Sequence, residues 1–297
     1  MHKDIDLAIL GGGPAGLSVG YYAQKSGIKF TIYEANSFVG GNCTTLQYKD
    51  FLFDSGAHRV HDKNEQVTTE IKKILGEELQ LVHAPSQIYC NQKLIDFPLT
   101  PLDLFTKLGV FNFGKAGIDF LKSRINTKII DESFQSLAIH NYGKTIAELF
   151  LLNYSEKLWG LSCDQLSQNI SGNRLKGLNM KTFIIEAIQG KKAKIKHLDG
   201  SFYYPKMGYG TIAERMADVC DRKNICLNSK ITKIIYDKTK IKAIKVENQG
   251  IIDVTEVIST LPLSFLLNIM EPRPPEEILM LVKSLRYRHM RLVALFL

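Results

Sequence analysis

The sequence has no apolar run approaching eighteen residues, and its cysteines follow no recognisable pattern. The missing apolar run argues against a transmembrane helix. The N-terminal apolar stretch starts almost at once and contains Asp6, which argues against a signal peptide. The five cysteines are odd in number, scattered and without a Cys-x-x-Cys pair, which argues against a disulfide scaffold or a zinc site. This usage favours a reducing compartment, so we expect a cytoplasmic protein.

Several familiar kinds of site are also missing. The sequence contains no Ser-His-Asp pattern, no metal-ligand spacing, no internal repeat and no nucleic-acid-binding module. We therefore expect neither a metal ion nor a nucleic acid as a partner. The net charge of +8 comes from lysines spread along the chain, which is typical of a solvated basic surface. An anionic ligand or peripheral contact with a membrane surface is the alternative interpretation.

What is present is ordinary globular material, with 45% hydrophobic and 23% charged residues in a chain of 297. This length predicts two domains, or one large domain with an insertion. Strand-rich patterning at both ends predicts a discontinuous nucleotide-binding domain formed by residues 1–84 and 200–297. Mainly helical patterning predicts a substrate domain over residues 85–199, with a ligand cleft where the two domains meet.

The most informative segment is a glycine-rich turn between two predicted strands, Ile5–Leu10 and Lys29–Tyr33. Three spaced glycines permit a tight turn, close approach of the backbone to a pyrophosphate, and close packing of helix on strand. They are Gly11, Gly13 and Gly16. The helix that begins at Pro14 and Ala15 directs its free N–H groups at the phosphates, and Glu34 follows where a carboxylate accepts hydrogen bonds from a ribose. The segment predicts a dinucleotide site; a ligand-free βα turn is the alternative.

Later segments predict the rest of an α/β, Rossmann-like domain. Helical patterning covers Asn64–Leu79, Thr145–Tyr154 and Thr211–Cys220. Alternating apolar residues predict consecutive strands of an antiparallel β-meander at Ile225–Leu227, Ile231–Tyr236, Ile241–Val246 and Ile251–Val254. The Val257–Pro262 stretch predicts a separate buried strand that ends at a turn.

Five further blocks follow the glycine turn in order. They are Gly40-Gly41-Asn42, Asp54-Ser55-Gly56-Ala57-His58, Tyr154-Ser155-Glu156-Lys157-Leu158-Trp159-Gly160, Tyr204-Pro205-Lys206-Met207-Gly208 and Ile258-Ser259-Thr260-Leu261-Pro262. With the turn and Glu34, they resemble the FAD-dependent amine oxidoreductase superfamily, which includes protoporphyrinogen oxidases and UDP-galactopyranose mutases. The resemblance implies FAD as cofactor and a Rossmann-like FAD-binding domain interrupted by a mainly helical substrate domain.

The resemblance also assigns positions to the cofactor. In the family, the acid after the second strand holds the adenosine ribose, and the second glycine pair lies along the diphosphate and flavin. The loop with His58 faces the isoalloxazine ring. The cofactor-binding residues implied beyond the first turn are Glu34, Ala35, Gly40, Gly41, Asn42, Gly56, Ala57, His58, Ile231 and Thr260.

His58 is the candidate catalytic residue, because a histidine there could hydrogen-bond the flavin or move a proton near neutral pH. The alternative is that it only packs in its loop, and His61 has a weaker claim. Trp159 and Arg174 are candidates for substrate binding, through stacking and through a bidentate contact with an anionic group. A core position for Trp159 and an ion pair between Arg174 and Glu156 are the alternatives.

Three functions fit these residues. The first is an FAD-dependent oxidoreductase in which a small-molecule substrate passes a hydride to flavin N5 in a water-poor cleft. The second is a nucleotide-sugar isomerase resembling the mutases, and the third is an inactive flavin-binding remnant. Two departures from the family pattern bear on the choice. Met207 replaces a glycine, and the chain ends in what reads as the middle of a strand, so we expect a C-terminally truncated member.

Overall fold

The computed structural model describes residues 5–84, 86–90, 92–97, 101–125, 131–171 and 200–296. The chain divides into two compact units, which we describe separately. The first unit comprises Met1–Leu81 and Phe202–Leu297, and the second comprises Val82–Ser201.

A seven-stranded sheet organises the first unit. Its strands are β1 (Ile5–Leu10), β2 (Phe30–Tyr33), β9 (Ile225–Cys226), β10 (Ile231–Asp237), β11 (Lys240–Val246), β12 (Gly250–Ser259) and β13 (Met270–Glu271). The order across the sheet is β13-β10-β11-β12-β1-β2-β9. Strand β1 runs parallel to β2 and β12, whereas β10, β11 and β12 form an antiparallel meander. This mixed sheet confirms the predicted α/β, Rossmann-like fold class.

The helices of this unit pack on the sheet or on one another. They are α1 (Pro14–Lys25), α2 (Glu65–Leu75), α7 (Thr211–Val219), α8 (Leu263–Asn268) and α9 (Glu276–Lys283). One core cluster joins β1 and β2 to α1 and α7, and it includes the fully buried Ile9, Leu17 and Ile32. Helix α1 comes this close because Gly20 has no Cβ; one placed there would lie 2.7 Å from Ile32 Cδ1. A second cluster joins β1 to the meander through Leu10, Ile234 and Ile244, among others.

The sheet differs from the sequence prediction in two places. Strand β9 pairs in parallel with β2 and so lies outside the meander. The stretches predicted as two strands form one, β12, because its first half pairs with β11 and its second half with β1. Strand identity here depends on pairing partners, which local patterning does not specify.

The helix predicted over Asn64–Leu79 is shorter than expected. Helix α2 ends at Leu75, where Gly76 adopts a φ of 53° that favours glycine. A 3₁₀ turn over Gly76–Glu78 then leads into β5. The short ribbons formed by the remaining strands are β3 (Thr45–Tyr48) with β4 (Phe51–Asp54), β5 (Leu79–His83) with β8 (Ser201–Pro205), and β6 (Ser86–Cys90) with β7 (Lys93–Phe97).

The described part of the second unit is largely helical. Its helices are α3 (Pro101–Ile125), α4 (Phe134–Tyr142), α5 (Lys144–Ile146) and α6 (Asn153–Trp159), with a π-helical segment at Ala147–Leu152 between α5 and α6. Buried Phe134, Ala138 and Cys163 form its main core with residues of the π-helical segment. Within the described ranges, no helix is both long and apolar enough to cross a membrane.

Candidate cofactor site

Gly11 and Gly16 leave no room for side chains at the first glycine turn. Gly11 has a φ of 106°, which L side chains rarely adopt. A Cβ on Gly16 would lie 1.9 Å from the Gly11 carbonyl oxygen, so helix α1 packs directly on the turn. Helix α1 has no side-chain cap and no acidic residue in its first turn. Its N-terminal N–H groups and positive dipole end therefore suit a phosphate.

Glu34 connects the end of β2 to this turn. It is only 7% exposed, and its Oε2 accepts a 2.6 Å hydrogen bond from the backbone N–H of Gly12. Its Oε1 accepts two bonds from Asn36, from the backbone N–H at 2.9 Å and from Nδ2 at 2.8 Å. A carboxylate oxygen has two lone-pair sites, so Oε2 keeps one for a ribose hydroxyl.

Gly12 is a residue of this site that motif reasoning missed. A Cβ at this position would lie 3.0–3.2 Å from the Glu34 side chain, which is tighter than an ordinary contact. The hydrogen bonds of the carboxylate leave that side chain little freedom to move away. The signal was present in the run of three consecutive glycines, since the Gly-x-Gly pattern requires only the outer two.

The second glycine turn lies against the first. The backbone N–H of Gly40 donates to the Gly12 carbonyl at 2.9 Å, and a Cβ on Gly41 would lie 3.3 Å from Gly13 Cα. The loop of residues 54–58 is attached to this second turn, because Ser55 Oγ donates a hydrogen bond to the Asn42 carbonyl at 2.6 Å. The structure therefore brings both predicted turns and the predicted loop together in one unit.

Asp54 fixes this loop to a distant part of the chain. Its Oδ2 accepts a 2.6 Å bond from the Tyr204 hydroxyl, and its Oδ1 accepts the Tyr209 backbone N–H at 3.0 Å and the Thr45 hydroxyl at 2.7 Å. The Thr45 oxygen in turn accepts the Gly210 N–H at 2.8 Å. Burial and the bond to Asp54 raise the pKa of the Tyr204 hydroxyl, so it stays a proton donor.

His58 lies beside this network. Its ring stacks on Tyr209 with 4.8 Å between centroids and an interplanar angle of 25°. Its Nδ1 is buried and has no hydrogen-bond partner among the described residues. A Cβ on Gly56 would lie 3.2 Å from the His58 ring, so the glycine makes room for this ring position. A buried nitrogen without a partner suits a ligand that supplies one.

The other residues predicted to bind the cofactor have different surroundings. Thr260 is next to Gly11, and its hydroxyl and backbone N–H both donate to the Leu10 carbonyl at 2.9 Å. Pro14, Ala15 and Ala35 are exposed, whereas the Ile231 side chain is buried in the core of the meander. Pro14 is the first residue of α1.

The two predicted substrate-binding residues belong to a different part of the chain. Trp159 ends α6 in the second unit and is 47% exposed, so it is not a core residue. Arg174 lies outside the described residues. Its suggested partner, Glu156, accepts the Cys163 backbone N–H at 3.1 Å. The described residues contain no cluster of three His, Cys, Asp or Glu that could hold a metal ion.

A family model described as flavin-containing amine oxidoreductase matches residues 14–294. The chain belongs to this family. It is 26% identical over 186 residues to protoporphyrinogen oxidase 1 of the spinach (Spinacia oleracea) chloroplast, an alignment that covers 60% of this chain and 33% of that protein.

Solved structures agree on the fold. A reduced UDP-galactopyranose mutase superposes with a TM-score of 0.81 at 17% identity, over 95% of this chain and 62% of the mutase chain. A protein described as a putative protoporphyrinogen oxidase from Exiguobacterium sp. 255-15 gives 0.64 at 22% identity, over 88% of this chain and 60% of that chain. The chain thus spans a third of the spinach enzyme and less than two thirds of either solved chain.

The family confirms the predicted cofactor, FAD. The geometry fits such a group at both ends. An uncapped helix N-terminus and two facing glycine turns suit a diphosphate, and Glu34 Oε2 has a free lone-pair site for a ribose. The unpartnered Nδ1 of His58 lies further along the same set of linked turns.

Proposed function

We propose that this chain forms the cofactor-binding part of a flavin-dependent oxidoreductase that oxidises a small-molecule substrate. When bound, the flavin supplies the redox chemistry by accepting a hydride at N5. The observation that carries the proposal is the physical linkage of the two glycine turns and the 54–58 loop through Gly12, Gly40 and Asn42. Protoporphyrinogen, the substrate named for the spinach relative, is the first candidate to test.

In this proposal, each segment of the site has its own task. The turn at Gly11–Gly13 and the N-terminus of α1 hold the diphosphate, and the Glu34 carboxylate holds the adenosine ribose. Gly41 leaves the second turn without a side chain where it meets the first. Thr260 keeps the end of β12 against Gly11 through its bonds to Leu10.

His58 acts at the flavin ring in this proposal. Stacking on Tyr209 fixes the orientation of the His58 ring. The hydrogen bond from the Tyr209 backbone N–H to Asp54 in turn fixes Tyr209 relative to the 54–58 loop. The unpartnered Nδ1 of His58 is the atom that would bond the flavin or the substrate. Trp159 and Arg174 stay candidates for gripping the substrate.

The experiment is an anaerobic titration of the FAD-loaded protein. Protoporphyrinogen should bleach the oxidised flavin absorbance, and His58→Gln should slow the bleaching while the protein keeps its FAD. If an FAD-loaded protein is bleached by neither protoporphyrinogen nor a panel of amines, the oxidoreductase proposal is wrong. Conversion of a nucleotide sugar only after dithionite reduction, without net oxidation, would instead indicate the isomerase chemistry.

A further inference from the structure

The outer face of helix α3 exposes large apolar side chains. Gly109 interrupts this helix with a φ of 80° and a ψ of 163°, so residues 110–125 form a helical segment of their own. Phe111 is 94% exposed and Ile125 is 83% exposed, and Val110, Ile118 and Leu121 are also exposed. We call the surface formed by Val110, Phe111, Ile118, Leu121 and Ile125 the α3 apolar face.

The opposite side of this segment packs against its own unit. Ala116 is buried, Phe113 packs on a core cluster with Phe150, and Asp119 accepts a hydrogen bond from Thr145. The side of the helix that faces the core is therefore already packed, and the exposed apolar residues lie on its other side. At about 100° per residue, the α3 apolar face occupies a continuous arc of roughly 100° that points away from the packed side.

Positive charge borders this arc. Lys115 and Lys122 are exposed and lie along one edge of it, seven residues apart in the sequence. Asp119 is the only acidic residue between positions 105 and 125, and its carboxylate is turned to Thr145. An apolar arc with lysines at its edge has the pattern of a helix that lies in a membrane interface, where lysine ammonium groups reach the anionic headgroups.

We propose that the α3 apolar face docks this protein on the surface of an anionic membrane, with the helix lying in the interface plane. The apolar side chains enter the boundary between headgroups and acyl chains, and the two lysines contact lipid phosphates. A second copy of the chain fits this face less well, because the exposed side of the helix offers no carboxylate to pair with the partner's lysines.

The experiment is co-sedimentation of the full chain with vesicles. One set is phosphatidylcholine alone, and in the other about one lipid in three is phosphatidylglycerol. The protein should sediment with the anionic vesicles only, and added salt should release it. The double variant Phe111→Ser/Ile118→Ser should lower the partition coefficient by more than about tenfold, since each removes a large apolar side chain from the lipid.

A charge variant and a matched control complete the test. Lys115→Glu/Lys122→Glu should lower anionic-vesicle binding by roughly 30-fold or more, because each interfacial lysine contributes about 1 kcal/mol. The control Met280→Ser/Leu281→Ser changes two exposed apolar residues of α9 and should bind like the parent. Equal loss in the control, or no vesicle binding by the parent, would overturn the proposal. So would a parent that is dimeric by light scattering and becomes monomeric in Phe111→Ser/Ile118→Ser.

Discussion

Glu34→Gln tests whether the carboxylate at the end of β2 holds both the glycine turn and the cofactor. Gly12 donates to one carboxylate oxygen, and Asn36 donates twice to the other. Since donors face both oxygens, the NH₂ group of a glutamine must face a donor in either orientation. Turning it toward Gly12 gives up one hydrogen bond, and turning it toward Asn36 gives up two.

The expected loss of stability follows from the orientation that gives up only one hydrogen bond, with the glutamine NH₂ group toward Gly12. A hydrogen bond to a charged group contributes about 1.5–3 kcal/mol, and the buried Gly12 N–H would be left without its acceptor. We therefore expect the free energy of unfolding of the apoprotein to fall by about 1.5–3 kcal/mol. Losing the charged acceptor for the ribose should in addition weaken FAD binding by about tenfold or more, as 1.4 kcal/mol corresponds to a factor of ten.

Two measurements separate these effects. Denaturant unfolding of the apoprotein, followed by circular dichroism, reports the turn, and quenching of flavin fluorescence on titration reports the Kd for FAD. The exposed Glu247→Gln serves as the matched control and should change neither. Lower stability with an unchanged Kd would refute the ribose assignment alone. Unchanged stability would refute the hydrogen-bond reasoning itself.

Three further substitutions test the same unit. Gly16→Ala would place Cβ 1.9 Å from a backbone oxygen, so denaturant unfolding should show a loss of about 3 kcal/mol or more; parental stability would contradict the packing. Tyr204→Phe removes one hydrogen-bond donor to Asp54, whose carboxylate also accepts the backbone N–H of Tyr209. Hydrogen exchange at the Tyr209 amide should therefore become about tenfold faster in Tyr204→Phe, while Tyr203→Phe should have no effect on it. The hydrogen bond from Lys25 lowers the pKa of Glu70 to about 2, so its stabilisation is present above the unfolded value and is lost as pH falls from about 4.3 to 2. The difference in Tm between Glu70→Gln and the parent should therefore disappear over that range, and a constant difference would contradict it.

The parts of the site that could be predicted from the sequence are those whose residues lie close together along the chain. The turn at Gly11–Gly16, the following helix and Glu34 form one continuous βα unit, so their spacing alone determines their arrangement. The same holds for the Gly40–Gly41 turn, where φ values of 109° and 53° favour glycine.

The Asp54 network could not be predicted in the same way. Tyr204 is 150 positions further along the chain, and Tyr209 bonds Asp54 through its backbone, which carries no residue signature. Strand β9 illustrates the same limit, because its two residues pair in parallel with β2 instead of continuing the meander that follows them. Long-range pairings are set by the packing of the whole unit, not by local pattern.

Glu34 and His58, in the described part of this site, differ in whether the protein already supplies hydrogen-bond partners to their side chains. The Glu34 carboxylate is already held by three hydrogen bonds, so binding a ribose requires no further ordering of that side chain. The ring of His58 is also held in place, by stacking on Tyr209, but its Nδ1 has no protein partner. A buried nitrogen of this kind costs stability until a ligand bonds it. Replacing Tyr209 with leucine should therefore impair the reaction through the position of His58 while leaving FAD affinity near the parental value, whereas replacement with phenylalanine should preserve both.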